Sequence, residues 1–128
     1  MVTRRVETLL DQARARIERV SPEVARQRQS EGALLVDIRP KAQRVEYGEV
    51  PDALIVERNV LEWRFDPQSA WHLPEVDGYE RPVIVLCQEG YASGFAAESL
   101  RQLGHERVAD LIGGFIAWRR AGLPIRLS

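Results

Sequence analysis

The 128-residue sequence contains one cysteine, one methionine and, among 18 basic residues, a single lysine, Lys41. One thiol, Cys87, excludes an internal disulfide and any metal site built from several thiolates. A lone thiol suits a reducing compartment, so the cytoplasm is the expected location. No metal and no cofactor is expected. The lysine shortage is accounted for by codon bias without invoking a function. No apolar run approaches the ~20 residues of a spanning helix, so no membrane partner is expected. Arg4, Arg5 and Glu7 stand where a secretory signal would have its apolar core, which predicts no such signal. Charge of one sign is also not in excess: the net value is −1, and no nucleic-acid partner is expected. There is no internal repeat and no low-complexity segment.

What is present is an ordinary globular composition, 45% hydrophobic and 29% charged. A chain this long buries about two-thirds of its unfolded surface and needs no staples. Val6, Leu9, Leu10, Ala13 and Ile17 share one face of a predicted helix over Thr3–Arg19. This helix either covers one face of the sheet or makes a dimer contact. We assign residues 1–19 to an N-terminal helical extension packed on the domain and residues 20–128 to the domain itself. Ser21-Pro22-Glu23 opens a second helix, with a capping hydroxyl, proline in the first turn and an acid at the positive dipole end. That helix should run to about Ser30 and stop at Gly32.

Short apolar runs follow at Ala33–Val36, Leu54–Val56, Pro82–Leu86 and Arg107–Leu111. Runs this short and continuous fit strands buried on both faces. Helices are predicted between them: one from Pro40 to near Glu46, one opened by Asn59 and Glu62 as a capping box, one from Ala92 stopped at Gly104, and one over Phe115–Arg120. Asp66–Tyr79 reads as loop. Strands alternating with helices define an α/β chain with a largely parallel sheet.

The informative order is strand, Cys87, glycine-containing loop, helix. In open parallel sheets, sites form beyond the carboxyl ends of strands, and Cys87 lies there. The free N–H groups and dipole of the following helix favour an anion. Gly90 permits a positive φ that curls loop amides inward. Ser93 either caps the helix or gives its hydroxyl to the sulfur. A free thiol has a pKa of about 8.5, and moving a thiol–thiolate equilibrium a hundredfold takes about 2.7 kcal/mol. A dipole worth ~0.3–1 kcal/mol together with charge-assisted amide bonds supplies that scale without a histidine base.

Three segments resemble the rhodanese (thiosulfate sulfurtransferase) superfamily in its single-domain form, over about Ser21 to Pro124. Leu34-Leu35-Val36-Asp37-Ile38-Arg39 is similar to the family's strand with its Asp-Val-Arg ending. Gly48-Glu49-Val50-Pro51-Asp52-Ala53 is similar to its Gly-His-Ile-Pro-Gly-Ala turn. The third runs from Val83 through Cys87, Gly90 and Ser93 to Gly104, then through Leu111–Phe115, Ala117-Trp118 and Gly122-Leu123-Pro124. The resemblance implies a small parallel sheet of about five strands with helices on both faces. It also implies an enzyme whose Cys87 takes sulfane sulfur from a thiosulfate or persulfide donor and passes it to a thiol or cyanide. Gln88, Glu89, Gly90, Tyr91, Ala92 and Ser93 would form the binding loop, and a sulfur-relay protein is a possible further partner. The alternative is a non-catalytic module of the same fold, acting as persulfide carrier, redox sensor or docking domain.

The chain departs from the family loop, which carries arginines where Gln88 and Ala92 stand here, and Glu89 adds a negative charge. Two arginines at strand ends are candidates to supply the missing charge. Arg58 is assigned to substrate binding; Arg39 is expected in an ion pair with Asp37 or Glu46. Trp63 either walls the pocket or packs elsewhere, and His72 and His105 are expected to take no part. A related phosphatase would need arginine at position 93, where this chain has Ser93.

Overall fold

The four apolar runs lie side by side as parallel strands, joined by a fifth that the sequence concealed. The computed structural model describes residues 5–127. In chain order the elements are α1 (Val6–Arg14), β1 (Glu18–Val20), α2 (Pro22–Ser30), β2 (Leu34–Asp37), α3 (Lys41–Tyr47), β3 (Leu54–Ile55), a 3₁₀ turn (Arg58–Val60), α4 (Leu61–Phe65), β4 (Val83–Leu86), α5 (Ala92–Leu103), β5 (Val108–Leu111) and α6 (Gly114–Arg120). The sheet order is β1-β5-β4-β2-β3, and every pair is parallel. Central β4 is buried at all four residues, as its unbroken Val-Ile-Val-Leu run requires.

Alternation along the strands divides the core in two. Val36, Val83, Val85 and Val108 face Leu61 and Phe65 of α4 and Ala96, Ala97 and Leu100 of α5. Leu35, Ile84, Leu86 and Ala109 face Ala25 of α2 and Phe115 and Trp118 of α6. Ser21 caps α2, its Oγ accepting the Val24 N–H at 3.2 Å, and Gly104 ends α5 in the left-handed region.

Two expectations need correction. The helix expected over Thr3–Arg19 ends at Arg14, and Glu18–Val20 is an edge strand in register with Ala109–Leu111. Thr3 lies outside the described residues. Helix propensity separates ordinary residues by at most ~0.7 kcal/mol each. Burying Val20 is worth about 1.5–3 kcal/mol, and pairing with β5 adds ladder hydrogen bonds, so tertiary pairing wins. β1 therefore joins the sheet across the boundary drawn at residue 19. The helix α1 itself lies on α5 and not on the sheet. Its Leu10 Cδ1 would stand 2.8 Å from a Cβ at Gly94, so the missing side chain there gives Leu10 its seat. The second correction is the Asn59–Glu62 capping box, which does not form: Val60 precedes α4 without a side-chain cap, and Glu62 turns instead to Arg58 and Ser99.

Candidate active site

Cys87 follows β4 directly, and the chain then turns through Gln88–Tyr91 into α5. Gly90 has a φ of +91°, the left-handed region that admits glycine freely. This conformation aims the Gly90 N–H at Cys87 Sγ, 3.2 Å away, and the Ser93 N–H donates to the same atom at 3.4 Å. No side chain caps α5. Ser93 also does not give its hydroxyl to the sulfur: its Oγ lies 3.4 Å from Sγ and accepts from the thiol, while its own proton goes to Asp110 at 3.1 Å. The thiol is 7% exposed, and Ser93 is wholly buried.

The loop is fixed from beneath by α6. The Phe115 and Ile116 N–H groups donate to the carbonyls of Cys87 and Gln88 at 2.8 and 3.1 Å. A Cβ at Gly114 would stand 2.5 Å from the Cys87 carbonyl oxygen, so only glycine allows α6 this close. The Gly113-Gly114 pair is therefore part of the thiol's support, one helix and one strand further along the chain.

Above the sulfur opens a pocket of about 390 Å³, lined by Cys87, Arg58, Gln88, Glu89, Tyr91 and Ala92 among others. The expected loop residues and Arg58 thus meet around one cavity, with Gly90 and Ser93 under the sulfur. Their charges are largely committed. Arg39 is buried, binds Asp37 through several contacts down to 2.7 Å, and lies 4.2 Å over the Phe115 ring. It donates also to Gln88 Oε1 at 3.0 Å, which fixes that side chain on the pocket wall. Of the two partners expected for Arg39, Asp37 is the one used. Arg58 pairs with Glu62 at 2.9 Å. Trp63 is exposed and lines a separate hollow beside Leu103, so it does not wall the pocket. His105 is buried between Phe65 and Tyr79 and donates to the Phe65 carbonyl, a packing role.

Burial opposes the charge on Glu62. Hydrogen bonds from Ser99 and from its own backbone, with the adjacent Arg58 guanidinium, outweigh it and hold the carboxyl below its usual range. A lowered folded-state value gives stability that is present above the unfolded value and lost as pH falls through the folded one. Glu62→Gln is therefore expected to melt below the wild type near about pH 7, with the gap closing only as pH falls below the unfolded carboxyl value of about 4.3 and on through the lower folded one. Thermal melts across that range check this; a difference that persists in acid would mean the carboxylate charge contributes nothing.

Sequence reasoning missed three residues of the site. Arg14 of α1 donates to the Gly90 carbonyl at 2.8 Å, with its guanidinium 5.6 Å from the Tyr91 ring centre. Arg19 of β1 binds Asp110 of β5 at 2.8 Å. The one signal available was Asp110 itself, a charge inside the otherwise apolar run Val108–Leu111. Nothing in the sequence pointed to the arginines.

A parallel sheet that delivers one cysteine onto an amide-lined turn at a helix N-terminus defines an α/β domain with a single thiol at the carboxyl end of its central strand. The rhodanese-like domain profile matches residues 21–121, and the chain belongs to that family. The chain is 41% identical over 100 residues to a thiosulfate sulfurtransferase GlpE of Actinobacillus pleuropneumoniae serotype 5b, covering 78% of this chain and 83% of that one. It is 38% identical over 96 residues to a sulfurtransferase of Allochromatium vinosum, covering 75% and 80%. A solved structure from Rhodopseudomonas palustris, described as a protein of unknown function and possible tyrosine phosphatase, matches with a TM-score of 0.88 at 30% identity, covering 98% of this chain and 97% of that one.

Proposed function

We propose that the protein is a rhodanese-type sulfurtransferase that carries sulfane sulfur on Cys87. The observation that carries this reading is the sulfur itself: two backbone N–H groups and a hydroxyl converge on Sγ at the floor of an open pocket. The Cys87 thiolate attacks the outer sulfur of the donor. The donor's S–S bond breaks, its electron pair leaves with sulfite or a thiolate, and a cysteine persulfide remains. A cyanide or thiolate acceptor then attacks the outer sulfur, and Cys87 departs as thiolate. The two half-reactions give ping-pong kinetics. The reducing cytoplasm would keep the thiol available between turnovers.

The test loads the protein with thiosulfate or glutathione persulfide, looks by mass spectrometry for one added sulfur atom on Cys87, then adds cyanide and measures thiocyanate. An unmodified Cys87, or loaded sulfur that no acceptor removes, would overturn transfer; the second result would leave a carrier module. Phosphatase chemistry is disfavoured because Ser93, wholly buried, stands where its guanidinium clamp would be.

The donor follows from charge. Glu89 is exposed on the loop, and Arg39 and Arg58 are each paired with a carboxylate. A compact dianion such as thiosulfate meets little net attraction here, whereas a persulfide donor leaves as a thiolate on a larger molecule. Wild type should therefore prefer glutathione persulfide. Ala92 is exposed on the pocket wall, with room for a longer side chain. Ala92→Arg offers a sulfonate two hydrogen bonds. At ~1.5–3 kcal/mol for such bonds, kcat/KM for thiosulfate should rise roughly ten- to a hundredfold. Glu89→Gln in the same background removes the carboxylate that competes for the new guanidinium. Steady-state rates with both donors at fixed ionic strength decide it; an unmoved donor ratio would show that the loop charge does not set specificity.

A further inference from the structure

Asp110 is a carboxylate in the interior of a sheet, with no exposed surface. It lies in register opposite Arg19, whose Nε and Nη2 bind its two oxygens at 2.8 and 3.2 Å. Its Oδ2 also lies 3.1 Å from the Ser93 hydroxyl, and that hydroxyl is the one beside Cys87 Sγ. Arg19 Nη2 reaches the Gly90 carbonyl as well, at 3.5 Å. One ion pair therefore touches both residues whose N–H groups hold the sulfur. A buried carboxylate is costly in a place that valine would fill.

We infer that Arg19 and Asp110 are a positioning pair that sets the direction of the Ser93 hydroxyl and so the balance between Cys87 thiol and thiolate. The inference rests on the reading of Cys87 as nucleophile. A hydroxyl has one proton to give. Beside a thiol, Ser93 accepts the S–H and donates to Asp110. Beside a thiolate, it donates to the sulfur, and Asp110 keeps Arg19 alone. During transfer the charge leaves Sγ for the outer sulfur and later returns, and the hydroxyl follows it. Arg19 neutralises Asp110, which keeps both orientations accessible. The other charged groups around the loop are the Arg39–Asp37 and Arg58–Glu62 pairs, Arg14 and Glu89, all left unchanged by the test.

Asp110→Asn, Arg19→Gln and the double variant are compared by the pH dependence of iodoacetamide alkylation at Cys87, with thermal melts as the check on folding. Asp110→Asn removes the carboxylate and leaves Arg19 unneutralised, so its alkylation midpoint should fall by about one pH unit. Arg19→Gln leaves the carboxylate unneutralised, so its midpoint should rise by about one unit. The double variant should lie within about 0.3 unit of wild type. Packing damage would not move the two single variants in opposite directions. Shifts of the same sign, or none above about 0.3 unit, would overturn the inference. If Arg19→Gln does not fold, Asp110→Asn decides alone, because asparagine keeps the shape and an acceptor for Ser93: a downward shift supports the pair, and no shift or an upward one overturns it. Absence of added sulfur on wild-type Cys87 would instead count against the transfer reading, so the two failures are told apart.

Discussion

Cys87→Ser should fold like the wild type and form no thiocyanate from any donor. Serine keeps the shape of the side chain, and its Oγ can accept the same Gly90 and Ser93 N–H groups that hold the sulfur. The loss in stability should not exceed ~1 kcal/mol, a melting shift of roughly 5 °C for a domain of this size. An alcohol is far less acidic than a thiol and cannot take up sulfane sulfur, so the covalent route closes altogether. There is no second cysteine to substitute for it. The measurement is thiocyanate production by the purified variant, alongside mass spectrometry for added sulfur. Turnover that survives the substitution, with contaminating enzyme excluded, would remove Cys87 from the mechanism.

Gly90→Val should remove most of the activity and leave most of the fold. The position has a positive φ, where a β-branched residue costs on the order of 1–3 kcal/mol. A Cβ there would also stand 2.8 Å from the Gly113 nitrogen and 3.3 Å from the Gly114 nitrogen, so the loop and the start of α6 must separate. A domain with ~5–15 kcal/mol of stability survives that strain. The amide cradle does not, because relief of the strain rotates the residue 90 N–H away from the sulfur. Losing one such donor from an anion site costs about 10²–10³ in rate. The alkylation midpoint of Cys87 should rise relative to the wild type, because a donor to the thiolate is lost. An unmoved midpoint in the folded variant would mean that the cradle does not tune the thiol.

How far the sequence was legible depended on the range of the interaction. Pro22, Gly90 and Gly104 are local signals: the first opens α2, the second bends the loop and the third ends α5, each where expected. The strand-to-helix turn at Cys87 was equally plain, because apolar β-branched residues stop and a glycine loop begins. The short strand β1 was hidden because Arg16–Arg19 continues the helical pattern of α1, and only its partner β5, some ninety residues on, makes it a strand. The pairing of Arg39 with Asp37 was foreseeable from their separation by one residue. The contacts of Arg14 and Arg19 with Gly90 span more than seventy residues and leave no local trace. The Asn59 box failed for a related reason: Glu62 finds Ser99 across the α4–α5 contact, and a tertiary partner displaces the local cap.

The seat of Leu10 on Gly94 and the register of Arg19 with Asp110 bear on how this domain can be recombined. The stretch that matches the family begins at residue 21, and a hybrid protein joined at that seam would carry every family landmark. It would also expose the α5 surface that Leu10 covers, and it would leave a charge inside the sheet with no counter-ion. A workable junction lies upstream of Val6, so the transplantable unit is longer than its recognisable pattern.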